Sequence, residues 1–84
     1  MGQTILLTDD DYEMRYAMSE TLRRCGYTVD IATGGNEAIR KFTSKKFDMV
    51  ITDVRMANGD GVHVLKEIKR HSPDVPVVLV TAYG

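Results

Sequence analysis

Ile5-Leu6-Leu7-Thr8-Asp9-Asp10-Asp11 is a strand-length apolar run that ends in three consecutive acids. Its reading decides the rest of the chain. Met14, Ala17, Met18, Leu22 and Cys25 follow at i, i+3, i+4, i+8 and i+11, the spacing of one helical face. Asp10 or Asp11 is placed to cap that helix, Glu13 stands three residues after Asp10 as in a capping box, and Gly26 offers a stop. Cys25, last on the apolar face, is expected to pack as a small hydrophobe. The opening unit is a strand followed by a helix, with carboxylates between them.

The unit then recurs. Residues 27–32 alternate Tyr27, Val29 and Ile31 with Thr28 and Asp30, as a half-buried strand does. Thr33-Gly34-Gly35-Asn36 reads as a turn into a second helix presenting Ala38, Ile39 and Phe42. Residues 47–52 form a third strand, and after a loop over residues 55–61 a third helix offers Val62, Leu65 and Ile68 to the core. Lys66, Lys69 and Arg70 lie towards its end, where the helix dipole favours cations, and Pro73 and Pro76 stop it. Residues 75–81 are a fourth strand of nearly continuous apolar residues, the pattern of a parallel strand covered on both faces. Strands alternating with helices predict right-handed crossovers and an open α/β sheet.

Composition bounds what such a sheet can do. At 84 residues the chain is one domain at most, and a hydrophobic fraction of 43% with 27% charged residues is that of a globular protein. The longest apolar run, Val77-Val78-Leu79-Val80, falls far short of the ~20 residues a membrane-spanning helix needs. The first residues lack the basic leader and small-residue cleavage site of a signal peptide. A single cysteine leaves no internal disulfide and no cysteine-based zinc site, which fits a reducing, cytoplasmic setting. With 11 basic against 12 acidic residues and no basic tail, direct nucleic-acid binding through a net field is not expected.

In open α/β sheets ligands bind beyond the carboxyl ends of the strands. Those ends carry Thr8, Asp9 and Asp10, then Thr33, Asp53 and Thr81. Carboxylates brought together repel and call for a cation or a shared proton, and Mg2+ is the hard ion usually held by one or two carboxylates together with phosphate oxygens. Asp53, alone at its strand end, is then the candidate nucleophile towards phosphorus. The competing reading is that each aspartate merely caps a helix or opens a loop. Thr81 is either a core-edge hydroxyl or a donor to a phosphoryl oxygen. His63, His71 and the basic pairs Arg23-Arg24, Arg40-Lys41 and Lys45-Lys46 read as solvated positions. No Gly-rich nucleotide loop and no Gly-x-Ser-x-Gly elbow occurs, so nucleotide-binding and serine-hydrolase chemistries have no foothold.

Ile5-Leu6-Leu7-Thr8-Asp9-Asp10-Asp11, Val50-Ile51-Thr52-Asp53-Val54-Arg55-Met56, Asp60-Gly61 and Val77-Val78-Leu79-Val80-Thr81-Ala82 together resemble the receiver domains of two-component response regulators. The Thr81-Ala82-Tyr83-Gly84 ending is most similar to receivers ahead of sigma-54-dependent activator domains. The resemblance implies a flavodoxin-like, doubly wound parallel sheet in the order 2-1-3-4-5. It implies Asp53 as phosphoacceptor, Asp9 and Asp10 as the acidic pair holding Mg2+, and Arg55 as donor of a backbone carbonyl to that ion. Thr81 matches the hydroxyl that contacts the phosphoryl group, and a histidine kinase is the implied partner. Such a module is an autocatalytic phosphoacceptor, not a turnover enzyme.

Ala57 and Gly59 depart from the family pattern, which usually shows Pro and often Met after the phosphoacceptor. Residues 1–84 correspond to a partial receiver domain, with elements in the order strand, helix, strand, helix, strand, helix, strand. The fourth helix, fifth strand and fifth helix have no counterpart in it, nor do the strand-end lysine and the aromatic switch residue they carry. The fourth strand is then expected at an open edge, and a homo-oligomer through that edge is the predicted assembly. The alternative function is a non-switching structural fragment that assembles through the same edge.

Overall fold

The computed structural model describes residues 2–56 and 60–80. Its elements are β1 (Thr4–Thr8), α1 (Tyr12–Arg24), β2 (Thr28–Ala32), α2 (Gly35–Ser44), β3 (Met49–Asp53), α3 (Gly61–His71) and β4 (Val77–Val80). The strands form one parallel sheet in the order β2-β1-β3-β4. β1 is central, which is why Ile5, Leu6 and Leu7 are all buried although their side chains alternate between faces.

The two faces are covered unequally. On one, α2 and α3 bring Ala38, Phe42, Val64 and Ile68 onto Leu6, Ala32 and Val50. On the other, Ile5, Leu7, Val29 and Ile51 are met by Met18 and Leu22 of α1. β4 closes one side of the sheet, and Val78 and Leu79 remain 43% and 36% exposed. The continuous apolar pattern of the fourth strand therefore does not correspond to double coverage among the described residues. It corresponds to a strand whose outer side is open.

Several local expectations are corrected. Asp11, one of the two residues expected there, is the N-cap residue of α1, but its side chain makes no capping bond. The N–H of Asp11 is instead taken by Asp9 Oδ1 at 2.9 Å. Cys25 is exposed and stands at the C-cap of α1, just after its last helical residue. Gly26 does end α1: at φ +98° it turns the chain so that its own N–H reaches the Arg23 carbonyl and the Tyr27 N–H reaches that of Leu22. The change of direction into α2 falls on Thr33 and Gly34, with Gly34 extended at the N-cap and Gly35 already in the helix. In α3 the core-facing residues are Val64 and Ile68, while Val62 is 40% exposed.

The lateral strand β2 and the segment leading into β3 are tied to α2 by charge and aromatic contacts. Asp30 receives Lys41 Nζ at 3.1 Å and Lys45 Nζ at 2.9 Å, so two lysines of the basic pairs are paired, not simply solvated. Phe42 and Phe47 stack at 6.1 Å, and His71 stands edge-on to Phe42 at 6.0 Å. An open cavity of about 340 Å³ lies beside these rings.

Candidate functional site

The carboxyl edge of the sheet gathers the acids. Thr8 and Thr52 are register partners on β1 and β3, so the residues one step further, Asp9 and Asp53, leave adjacent strands side by side. Asp9, Asp10 and Asp53 each offer a carboxylate oxygen, and these oxygens all lie within 4.8 Å of one another. Asp9 is buried, Asp53 half-buried and Asp10 exposed, so the cluster runs from the sheet edge out to solvent. Hard oxygen donors this close, with one side open, suit a divalent ion that keeps part of its water shell.

The charges are set against one another. Burial, joined by the negative charges of Asp53, Asp10 and Asp11, pushes Asp9 above the ordinary carboxylate range, and the N–H of Asp11 opposes that shift only in part. Asp9 is held in place by its own N–H, which donates to the Ala32 carbonyl at the end of β2 at 3.2 Å. Asp53 stands where β3 gives way to a loop. The N–H of Val54 donates to the Val80 carbonyl at 3.0 Å, and the N–H of Arg55 points at Asp53 Oδ1 from 3.5 Å, a long contact. The Arg55 side chain is exposed.

The remaining strand-end residues separate. The Thr33 hydroxyl is committed to Glu37 Oε1 at 2.9 Å, away from the cluster. Thr8 is fully buried and its hydroxyl has no hydrogen-bond partner among the described residues. Thr81, Ala57 and Gly59 lie outside the described residues. His63 and His71 are both exposed, as read from the sequence.

Arg15 is the neighbour that sequence reasoning missed. Its Nη1 donates to the Asp9 carbonyl at 2.9 Å, and its guanidinium lies 5.6 Å from the centre of the Tyr12 ring. Tyr12 stacks on Tyr16 at 6.2 Å, and both are largely exposed beside the acids. Arg15 follows Asp11 by one helical turn, a spacing that carries no distinctive signal by itself.

The model of the response regulator receiver domain family matches residues 5–84 of this chain. The transcriptional regulatory protein ZraR of Klebsiella oxytoca is 44% identical over 80 residues, which are 95% of this chain and 18% of that protein. Among solved structures, the response regulator TrrA of Thermotoga maritima in complex with Mg2+ and BeF superimposes with a TM-score of 0.93 at 38% identity, over 98% of this chain and 71% of that one. TrrA in complex with the histidine kinase ThkA gives 0.90 at 38% identity over the same shares. The chain belongs to the receiver domains of two-component response regulators. It spans between about a sixth and a third of the length of the curated relatives it matches, 18% in the case of ZraR and 31% in that of a probable transcriptional regulator of Cyanidium caldarium.

Proposed function

We propose that this chain is the phosphoacceptor portion of a receiver, taking a phosphoryl group from a histidine kinase onto Asp53. The observation that carries the reading is the set of three carboxylate oxygens within 4.8 Å at the carboxyl edge of a parallel sheet. In that reading a carboxylate oxygen of Asp53 attacks phosphorus, the phosphorus–nitrogen bond of the donor phosphohistidine breaks, and the imidazole leaves. Asp9, Asp10 and Asp53, with the Arg55 backbone carbonyl, would hold Mg2+, which supplies compensation for the charge that builds on the phosphoryl oxygens. Burial of Asp9 fixes one side of the ion's seat, and exposure of Asp10 leaves the other open to water and to the donor. Thr81 follows β4 and is assigned the phosphoryl hydroxyl on the strength of the family pattern.

The Mg2+–BeF complex of TrrA and its complex with ThkA support the metal and the partner for a relative of the same fold. Residues 1–84 are read as the β1-to-β4 part of a receiver, most similar to those of sigma-54-dependent activators and working in the cytoplasm without touching nucleic acid itself. Among the described residues no helix is long and apolar enough to cross a membrane. The test is intact-protein mass after incubation with Mg2+ and acetyl phosphate. One phosphoryl adduct in wild type and none in Asp53→Asn is the expected result; no adduct at any Mg2+ concentration overturns the reading.

A second reading has its own observation. Val78 and Leu79 are exposed on β4, whose outer backbone edge faces no other strand among the described residues. Such an edge favours self-association, and a homo-oligomer through β4 is the proposed assembly. Light scattering that shows a monomer at every concentration overturns it.

A further inference from the structure

We propose that Thr52 and Gly61 are positioning residues for Asp53, pinning its carbonyl from two sides so that its carboxylate is held over the acidic edge. This rests on the phosphoacceptor reading of Asp53. Thr52 Oγ1 donates to the Asp53 carbonyl oxygen at 3.1 Å, a bond made from within the buried layer under the site. From the other side, the first residue of α3 presses on the same peptide. A Cβ placed on Gly61 would overlap the Asp53 carbonyl oxygen and come within 3.0 Å of both the Asp53 carbonyl carbon and the Val54 Cα.

Neither side has slack. The N–H of Gly61 donates to the Val54 carbonyl at 2.8 Å, so α3 is bonded to the peptide next to the one it presses on. Asp60 Oδ1 accepts the His63 N–H at 2.8 Å and fixes the first turn of α3. Val64 and Ile68 then anchor the helix in the core with essentially no exposure. On the far side of the loop, the N–H of Val54 is bonded to β4 through the Val80 carbonyl. The strand end that carries Asp53 is thus clamped between its own preceding hydroxyl and a helix start that has room for glycine alone. Displacing a reacting group by even ~1 Å can cost orders of magnitude in rate, so the clamp bears on reactivity as well as on folding.

The experiment follows adduct formation by intact mass with acetyl phosphate and saturating Mg2+ in wild type, Thr52→Val, Thr52→Ser, Gly61→Ala and Gly2→Ala. It also records the 13Cγ resonance of Asp53 in each metal-free protein. Gly2→Ala is the control, because its Cβ would meet the Gly26 carbonyl oxygen at 2.6 Å at the opposite edge of the sheet. Expected are slowing of roughly ten-fold or more in Gly61→Ala, several-fold slowing in Thr52→Val, and recovery in Thr52→Ser to within about two-fold of wild type. Gly2→Ala is expected to melt earlier yet react at the wild-type rate. Thr52→Val reacting as fast as wild type, or a folded Gly61→Ala doing so, overturns the proposal. A wild type that takes no phosphoryl group instead sinks the phosphoacceptor reading, and the resonance then decides: an Asp53 signal unmoved in both Thr52→Val and Gly61→Ala overturns positioning too.

Discussion

Asp9 and Asp53 leave neighbouring parallel strands one step beyond the Thr8–Thr52 register pair, and their carboxylate oxygens come within 4.8 Å of each other. Two like charges at the edge of a buried layer make the metal-free fold work against itself. The first two predictions measure that conflict.

Asp9→Asn should raise the melting temperature of the metal-free protein at pH 7. Burial and the neighbouring acids raise the Asp9 pKa in the folded state above its unfolded value. The native state therefore holds more protons than the unfolded chain across that window, and stability falls as pH rises through it. The gain from Asp9→Asn should accordingly shrink as pH drops below the ordinary carboxylate range. Thermal melts of both proteins from pH 3 to pH 8 check this; a gain that grows towards low pH contradicts it.

Mg2+ should reverse the sign for the same residues. Binding to the native state alone adds about 2.7 kcal/mol when the free ion is at one hundred times its dissociation constant. Wild type should melt progressively higher as Mg2+ is added, while Asp10→Asn and Asp53→Asn should respond far less. Calorimetric scans across a Mg2+ series give the answer, and equal shifts in all three proteins would remove these acids from the metal site.

In the middle of β2 the pH dependence runs the other way. Burial raises Asp30, but hydrogen bonds and charge from Lys45 and Lys41 outweigh it and hold the carboxyl below its ordinary range. Its contribution is present above the unfolded carboxylate value and is lost as pH falls through the folded one. Asp30→Asn should destabilise at pH 7 by about 1 kcal/mol, the scale of partly exposed ion pairs, and by little at pH 3. Urea melts at the two pH values test the difference.

Gly26→Ala should cost roughly 1–2 kcal/mol, the price of a left-handed backbone for a residue with a Cβ. The substituted side chain meets nothing within 4 Å, so the cost is conformational and not steric crowding. An unchanged urea midpoint would show that α1 can end in some other way.

Val78→Lys, on the open strand, should lower any self-association without lowering the Mg2+-induced rise in melting temperature, since edge lysines discourage strand pairing. Sedimentation at several concentrations, beside the metal series, separates the two effects.

Much of this was legible beforehand because periodicity reports on burial. The alternation of short apolar runs with helical spacing yields all seven elements, and placing Asp9, Asp10 and Asp53 at strand ends needs only that alternation. What escaped depends on where an element lies over the sheet. Cys25 continues the apolar spacing of α1 but falls at its C-cap, beyond the last helical residue, and Val62 lies off the face of α3 that Gly61, Val64 and Ile68 bury. The Lys41–Asp30 and Lys45–Asp30 pairs join a strand to a helix that folds back over it, and no residue spacing announces such a contact. The helix start lies at Asp11, whose N–H is taken by Asp9 Oδ1, a contact that no spacing rule anticipates.

The unequal coverage of the sheet has a thermodynamic signature. With α1 alone opposite α2 and α3, the face bearing Val78 keeps apolar surface in water. Whatever comes to lie on that face, its association should show a negative heat-capacity change, with an enthalpy that turns more favourable as the temperature rises.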